Sequence, residues 1–259
     1  MNALEIRGLS VTYGPHRVLG EVTLEVPAGS FVALVGPSGC GKSTLLRTVA
    51  GLIQPAAGGI SLFGRTVGGC SPDVGILFQD DALLPWRTAA ENAGLGLRFR
   101  GMPAGEARRE AGRWLARVGL RGVADHYPHE LSGGMKKRVA LAQVLAPRPR
   151  LLLMDEPFAS LDAIVRNLLE EDFLTLVRDE RLTVVLVTHD LEEALVLADQ
   201  VALMSAGPAA VITRLYPVPF PRPRDFVGLR GDAAFGGLLR SVWEDLRREV
   251  GRMGWDMSA

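Results

Sequence analysis

The stretch GPSGCGKST, residues 36–44, has the glycine and lysine spacing of a phosphate-binding loop. It follows the strand-like run FVALV and precedes a run whose leucines keep helical spacing. The glycines allow main-chain amides to turn toward phosphates, Lys42 places a positive charge at the β- and γ-phosphate oxygens, and Ser43 offers a hydroxyl to Mg²⁺. Cys40 is expected to contribute only its main chain, with a reactive or metal-binding thiol as the alternative. The predicted phosphate-binding residues are Gly36, Pro37, Ser38, Gly39, Cys40, Gly41, Lys42, Ser43 and Thr44.

A pair of acids ends another apolar run, LLLMDEP, at residues 151–157. Asp155 can hold Mg²⁺, usually through water, and Glu156 can polarise an attacking water. A solvated strand end is the alternative, and it would be the default for two adjacent acids alone. The phosphate loop elsewhere in the chain favours the catalytic interpretation.

Three single residues give weaker signals. His189 ends the run TVVLVTHD and can touch the γ-phosphate and the water if it lies at the carboxyl-end rim of a sheet; a structural histidine is the alternative. Gln79 follows a third strand-like run and can reach Mg²⁺ or the water, or can be an ordinary exposed loop residue. Tyr13 can stack on adenine as a flat aromatic platform, or can pack in the core.

A second glycine turn lies in ELSGGMKKR, residues 130–138. Ser132 before Gly133 and Gly134 is typical of a helix N-terminus that holds an anion. The cations that follow stand near an end where the helix dipole favours acids. They either relate to the approaching anion or form a solvated face; they are Lys136, Lys137 and Arg138.

The elements that must position these residues follow from hydrophobic periodicity. The N-terminal segment alternates apolar and polar residues with turn signals between, which predicts an antiparallel β subdomain. Residues 86–146 have a helical pattern and predict a helical subdomain. Elsewhere strand and helix alternate, which predicts an α/β fold with a mostly parallel sheet covered on both sides. The predicted apolar face of one helix consists of Ala107, Ala111, Trp114, Leu115 and Val118.

The chain divides into a predicted main domain, residues 1–215, and a C-terminal extension, residues 216–259. The extension begins with the connector PVPFPRPRD and continues into a helix at about 234–250. The helix after the phosphate loop is expected to carry Leu52 on its apolar face and to be ended by Gly51, Pro55 and Gly58–Gly59.

The composition is that of a globular protein. Hydrophobic residues make up 47% of the 259 residues and charged residues 22%, and the formal net charge is +0, so bulk electrostatics give no reason to expect nucleic-acid binding. Two cysteines are too few for a disulfide framework and indicate a reducing compartment. We expect neither a secretion signal nor a membrane span, because the longest apolar runs have only strand length.

Taken in order, these motifs resemble the ATP-binding subunits of ABC transporters over residues 4–205. The matching features are the aromatic Tyr13, the phosphate loop at 36–44, Gln79, the signature LSGGM at 131–135, the acidic strand at 151–156, SLD at 160–162 and His189. QDDALLPWRTAAEN and the ending VPFPRPRD are similar to the nitrate, sulfonate and taurine importer group. Lys137 and Gln143 depart from the Gln and Arg that relatives commonly show, and SAGPAAVIT lacks the Arg-Pro-Gly of many members.

The resemblance implies a P-loop NTPase fold with an ABC-type ATPase core, an N-terminal antiparallel β subdomain and an inserted helical subdomain. ATP and Mg²⁺ would be the cofactors, with Glu156, His189 and Gln79 catalytic. Ser43, Gln79 and Asp155 would bind the metal. Two copies would close head to tail as a homodimer, Ser132, Gly133 and Gly134 contacting the ATP of the facing chain. Asp162 would couple the two sites.

The implied role is a transport ATPase (translocase) held peripherally at the cytoplasmic face of the membrane. Its partners would be separate permease subunits and, indirectly, an extracytoplasmic solute-binding protein, with no nucleic acid. Nitrate, alkanesulfonates, taurine, bicarbonate and a pyrimidine precursor all remain open as the solute. One alternative is a non-transport ABC ATPase that acts on nucleic acid or the translation machinery. The other is a nucleotide-binding module without hydrolysis, which would need Glu156 or His189 to be missing.

Overall fold

The computed structural model describes residues 1–252. Contacts divide the chain into two compact units, Met1–Ser71 with Arg181–Ala259, and Pro72–Glu180. The last seven residues of the predicted C-terminal extension, 253–259, lie outside the described residues.

The strands are β1 (Asn2–Tyr13), β2 (His16–Pro27), β3 (Phe31–Val35), β4 (Ala57–Leu62), β5 (Arg65–Thr66), β6 (Val74–Leu77), β7 (Leu151–Asp155), β8 (Thr183–Val187), β9 (Gln200–Met204) and β10 (Ile212–Pro217). The helices are α1 (Lys42–Val49), α2 (Ala89–Ala93), α3 (Leu95–Phe99), α4 (Ala104–Arg117), α5 (Gly133–Leu145), α6 (Ala163–Glu180), α7 (Leu191–Leu197), α8 (Phe226–Arg230) and α9 (Ala233–Gly251), with a short 3₁₀ helix at Pro128–Glu130.

The first unit begins with the antiparallel sheet that the sequence predicts. Its strand order is β2-β1-β4-β5, and each neighbouring pair is antiparallel. The apolar residues that alternate along β1, among them Leu4, Ile6 and Leu9, are buried because successive side chains point to opposite faces. Gly58 and Gly59 lie inside β4 rather than at a helix end, and Leu52 is exposed beyond α1, so both of those expectations are wrong.

A second set of strands in this unit is mostly parallel. β3 pairs in parallel with β8 and β9, and β10 pairs with β9 antiparallel. Every residue of β3 and β8 is buried, since helices contact this sheet; α7 contacts β3 and α1 contacts β8. The periodicity of the sequence did not predict β9 and β10.

The second unit combines a parallel strand pair, β6 and β7, with the helical segment. Helices α2, α4 and α5 contact one another. All five residues of the predicted apolar face of α4 and its C-terminus are buried, as the spacing requires. The predicted α/β class, with mostly parallel pairing and a separate antiparallel sheet, is confirmed.

The C-terminal helix α9 packs within the first unit. Helix α9 contacts α7, and the main-chain amide of Ala206 donates to Glu249 at 3.1 Å. Asp245 of α9 accepts hydrogen bonds from Arg214, at 2.6 Å, and from the hydroxyl of Tyr216, both on β10. Within residues 1–252, none of the helices is both long and apolar enough to cross a membrane.

Candidate functional site

The phosphate loop joins the end of β3 to the start of α1. Gly41 has a φ of +104°, and a Cβ there would lie 2.8 Å from Cδ2 of Leu19, so both the backbone conformation and the space demand glycine. Within the part of the chain that the structure describes, no side chain caps the N-terminus of α1. Its N-cap, Gly41, has no side chain, and a helix N-terminus of this kind can bind an anion.

Lys42 lies inside this loop. Its side chain is buried, and Nζ donates to the carbonyl oxygens of Gly36 at 2.9 Å and Pro37 at 3.0 Å. The loop itself therefore fixes the ammonium group, in the position from which a phosphate-binding lysine acts. A helix N-terminus beside an ammonium group has the chemistry that the sequence predicts for a phosphate site.

Cys40 is also buried in this loop. Burial raises the pKa of its thiol, and the nearby positive charge of Lys42 offsets this only in part. Because the thiolate is the reactive form, this favours a main-chain contribution over a reactive thiol.

His189 lies at the same edge of the sheet as the phosphate loop, since β3 and β8 are parallel and Leu34 pairs with Val187. Its side chain is exposed, and both of its neighbours are fixed. The amide of Asp190 donates to Oγ1 of Thr188 at 3.0 Å, and Oδ1 of Asp190 accepts from the amide of Glu192 at 2.9 Å as the cap of α7. The loop thus presents the imidazole from a rigid backbone.

Tyr13 ends β1 at a hairpin turn, where it pairs with His16. Its side chain is 48% exposed. Core packing, the alternative role considered for this residue, is therefore wrong, and the ring is accessible to a ligand.

In the second unit, the acidic pair ends β7. Asp155 is buried, whereas Glu156 is half-buried and has a φ of +47°. A non-glycine residue in this left-handed region costs about 1–3 kcal/mol and persists where the surrounding structure fixes it, commonly at functional sites. Asp155 and Glu156 therefore differ in burial and in backbone conformation, in agreement with the different roles predicted for them.

Gln79 lies at the same edge as this acidic pair, since β6 and β7 are parallel and Leu77 pairs with Met154. Its side chain is exposed, two residues past β6. Its main-chain carbonyl accepts a hydrogen bond from Nζ of Lys137.

The three cations of the signature segment differ from one another. Lys137 is buried and forms an ion pair with Asp81, and Arg138 donates to the carbonyl of Val118 and to Asp172. The solvated-face interpretation is therefore wrong for Lys137, and a role of these cations toward an approaching anion stays a prediction. Lys136 and Arg138 are both partly exposed. Since α5 begins at Gly133, all three also lie beyond its first three residues.

Ser132 is the N-cap of α5. Its Oγ accepts from the amide of Met135 at 3.3 Å, which leaves the hydroxyl proton free to be donated. Ser132 and Gly133 are exposed. A Cβ on Gly134 would lie 3.1 Å from Cγ1 of Val165, so a larger residue there would press against α6.

Asp162 caps the next helix. Its Oδ1 accepts from the amide of Val165 at 3.0 Å, and its carbonyl accepts from the amide of Arg166 at 2.9 Å. The side chain is exposed. Asp162 thus orders the start of α6, and the predicted coupling between sites stays a prediction.

The structure groups the predicted site residues in two sets. The first unit brings the phosphate loop and His189 to one sheet edge. The second unit brings Gln79, Asp155 and Glu156 to the carboxyl ends of β6 and β7. The predicted Mg²⁺ ligands supply hydroxyl, amide and carboxylate oxygens, which this hard cation prefers. They include one carboxylate, and within residues 1–252 no group of three or more His, Cys, Asp or Glu residues could hold a metal ion.

Two contacts of charged side chains with main-chain carbonyls were not predicted from the sequence. One is the bond between Lys137 and Gln79, for which the departure at position 137 was the available signal. The other is Arg224 of the connector, which donates to the carbonyls of Leu195, Val196 and Ala198 at the end of α7. Arginine at a helix C-terminus satisfies orphan carbonyls, but no local pattern announced this one.

Comparison with known proteins agrees with the resemblance to ABC transporter subunits that the motifs indicated. The ABC transporter family model matches residues 19–159. Over 213 residues the chain is 48% identical to the nitrate import ATP-binding protein NrtC of Synechococcus elongatus, covering 82% of this chain but only 32% of NrtC. It is 47% identical to the bicarbonate transport ATP-binding protein CmpD of the same organism, covering 82% of this chain and 77% of CmpD. It is 45% identical to the taurine import ATP-binding protein TauB of Yersinia pestis, covering 82% and 83%.

Solved structures agree with the sequence relatives. CbiO1 from Clostridium perfringens, part of the ABC transporter complex cbiONQ, matches with a TM-score of 0.76 and 26% identity, covering 84% of this chain and 89% of its own. The ATP-binding cassette MJ0796, in a dimeric post-hydrolysis state bound to ADP and Pi, matches with a TM-score of 0.73 and 28% identity, covering 84% and 100%. These relatives do not favour a role on nucleic acid or the translation machinery. The chain therefore belongs to the ABC transporter family, of which it is an ATP-binding, ATP-hydrolysing member.

Proposed function

We propose that this ATPase powers the import of a small solute through an ATP-dependent, head-to-tail dimer of two copies. The observation that carries the proposal is the phosphate loop, where the buried Lys42 lies at the N-terminus of α1, which has Gly41 as its N-cap. ATP bound there on one side would be closed over by the signature turn of the second copy.

The groups that would act on ATP have the required chemistry. Glu156 would accept a proton from the attacking water, while His189 and Gln79 would orient that water and the γ-phosphate. Tyr13 would stack on adenine. Mg²⁺, held by Ser43, Asp155 and Gln79, would neutralise charge on the β- and γ-phosphates.

The signature turn suits a phosphate that another chain carries. Ser132 and Gly133 are exposed at the N-terminus of a 13-residue helix, and the hydroxyl of Ser132 keeps its proton for donation. Each such interaction is worth about 0.3–1 kcal/mol and would exist only when ATP bridges the two copies. ATP binding would therefore favour closure, hydrolysis would remove the bridge, and Asp162 would couple the two sites.

The second unit has a groove that fits the expected permease contact. It has a volume of about 240 Å³, lies among β6, α3 and α5, and is lined by residues that include Asp81, Phe99 and Gln143. Phe99 and, nearby in sequence, Trp86 are strongly exposed. We assign this apolar groove to a segment of a permease subunit, which would hold the chain peripherally at the cytoplasmic face of the membrane. A solute-binding protein would act on the far side.

The solute class follows from the relatives alone. Their names specify nitrate, bicarbonate and taurine, which are small and oxygen-rich. We propose a solute of this kind, including sulfonates, and no nucleic-acid partner.

The proposal is tested with Glu156→Gln. Removing a general base lowers turnover by roughly 10²–10⁴-fold, so ATP hydrolysis should fall by that factor while ATP still binds and a dimer accumulates in size-exclusion chromatography. Lys42→Ala should instead lose ATP binding or hydrolysis. Normal turnover in the Glu156 variant would remove this residue from its role, and a monomer that persists with ATP would refute the dimer.

Transport is tested separately in cells. Replacing the native chain by the Glu156→Gln variant should abolish uptake of one labelled solute among nitrate, taurine, sulfonates and bicarbonate. Unchanged uptake of all of them would contradict the solute class even if ATP hydrolysis behaves as expected.

A further inference from the structure

The signature helix contains a lysine that is held inside the protein. The side chain of Lys137 is 4% exposed, and its Nζ lies 2.9 Å from Oδ1 of Asp81, whose side chain is 25% exposed. The same ammonium group donates to the main-chain carbonyl of Gln79. All three residues belong to the second unit.

This arrangement places a strong constraint on the segment after β6. A buried ammonium group is stable only when it is paired and hydrogen-bonded, so the ion pair with Asp81 and the hydrogen bond to the carbonyl of Gln79 hold Lys137 in place. The bond to Gln79 reaches the main chain, which leaves the side chain of Gln79 exposed. Helix α5 thereby fixes the main chain at Gln79 but makes no use of the Gln79 side chain in this bond.

Lys137 is also close to the signature turn along the helix. It lies four residues after Gly133, the first residue of α5, which is about one helical turn or about 6 Å. A single side chain therefore ties the turn that contains Ser132 to the backbone of Gln79.

We propose that Lys137 is a positioning residue that makes Gln79 and the signature turn move as one body. The inference rests on the proposed function, in which Gln79 serves the ATP of its own chain and Ser132 serves the ATP of the facing chain. Lys137 thus connects the chemistry of one ATP to the binding of the other. A glutamine at this position could donate to the carbonyl but would have no charge to pair with Asp81.

The test compares Lys137→Met with Lys136→Met. Both remove an ammonium group from neighbouring positions of one helix, but Lys136 is partly exposed. Losing a charge-assisted hydrogen bond should lower the kcat of ATP hydrolysis about tenfold or more in Lys137→Met, while the Kd of the monomer for ATP stays within about twofold. Lys136→Met should behave as the unaltered protein does.

Further variants separate positioning from simple stability. Lys137→Arg keeps the charge and the donors and should restore most of kcat, which a purely structural loss would not predict. Asp81→Asn should have a smaller effect, and adding it to Lys137→Met should lower kcat no further. If Lys137→Met does not fold, Lys137→Gln, which can still donate to the carbonyl of Gln79 but has no charge for Asp81, should show a smaller loss of kcat than Lys137→Met would; a kcat equal to that of Lys136→Met would count against the ion pair.

Several outcomes would overturn the inference. These are a kcat of Lys137→Met within twofold of that of Lys136→Met, equal losses in kcat and ATP affinity, or additive effects at positions 81 and 137. An unaltered protein that neither hydrolyses ATP nor dimerises would refute the proposed function itself, and the inference with it.

Discussion

Arg224→Ala should destabilise the first unit strongly, because this arginine closes the end of the helix that follows His189. Its side chain is 1% exposed. Nη1 donates at 2.7 Å to the carbonyls of Val196 and Ala198, and Nε donates at 3.1 Å to that of Phe220. Burial lowers the pKa of Arg224 to about 10, and the neighbouring charge of Arg222 adds to this, so the guanidinium remains charged at neutral pH.

The magnitude follows from the bonds that are lost. A hydrogen bond from a charged group contributes about 1.5–3 kcal/mol, so the two short bonds to α7 set an expected loss of about 3–6 kcal/mol in the free energy of unfolding. For a chain of this size, each 1 kcal/mol lowers Tm by about 2–4 °C, which gives a fall of about 10 °C. Hydrogen exchange should accelerate at the amides of α7.

Arg222→Ala is the matched control. Arg222 donates to the carbonyl of Leu197 at 2.7 Å and pairs with Asp199, but its side chain is 29% exposed, so water can replace part of what is lost. Its removal should cost about 1 kcal/mol. A loss below about 1 kcal/mol for Arg224→Ala, or one no larger than the control, would refute the assignment of Arg224 as the cap of α7.

Three other expectations are simple to measure. In the native protein a thiol reagent should label the exposed Cys70 and spare Cys40 until the chain unfolds, and equal labelling rates by mass spectrometry would contradict the buried thiol. Gly41→Ala, at a φ of +104°, should cost about 1 kcal/mol or more and weaken ATP binding, whereas unchanged affinity in a titration would show that the loop tolerates a side chain. The hydrogen bond from Tyr216 lowers the pKa of Asp245 below its ordinary 3.8, so the stability it contributes is present above that pH and is lost as pH falls through the folded value. Asp245→Asn should therefore lower Tm at neutral pH, and the deficit should vanish in acid; a deficit independent of pH would exclude the carboxylate as its cause.

Local sequence patterns predicted the helices and strands well where a single hydrophobic periodicity dominates. The five apolar residues between Ala107 and Val118 repeat at helical spacing, and the fold buries them all, because a helix presents such residues on one face. The fully apolar β3 was predicted as a strand for the same kind of reason. The end of α1 was predicted less well, since Leu52 continues the spacing beyond the last helical residue.

Residues whose environment comes from distant segments were not predictable in this way. The run Lys136–Arg138 resembles a solvated face, yet Asp81, 56 positions before Lys137, makes the middle residue a buried ion-pair partner. PVPFPRPRD was predicted as a plain extended connector. Arg224 within it binds the end of α7, which lies 27 or more positions earlier in the chain.

The sequence by itself determined the phosphate loop, the acidic pair after β7 and the signature turn, and with them the family. These are contiguous motifs, so their conformation and chemistry follow from glycines, a lysine and acids a few bonds apart. Only the tertiary structure decided which charged side chains are buried and which groups they bind. Lys137 binds the carbonyl of Gln79, and Arg224 binds the carbonyls at the end of α7. The burial of a charge depends on the partner that the fold brings to it, and no local pattern encodes that partner.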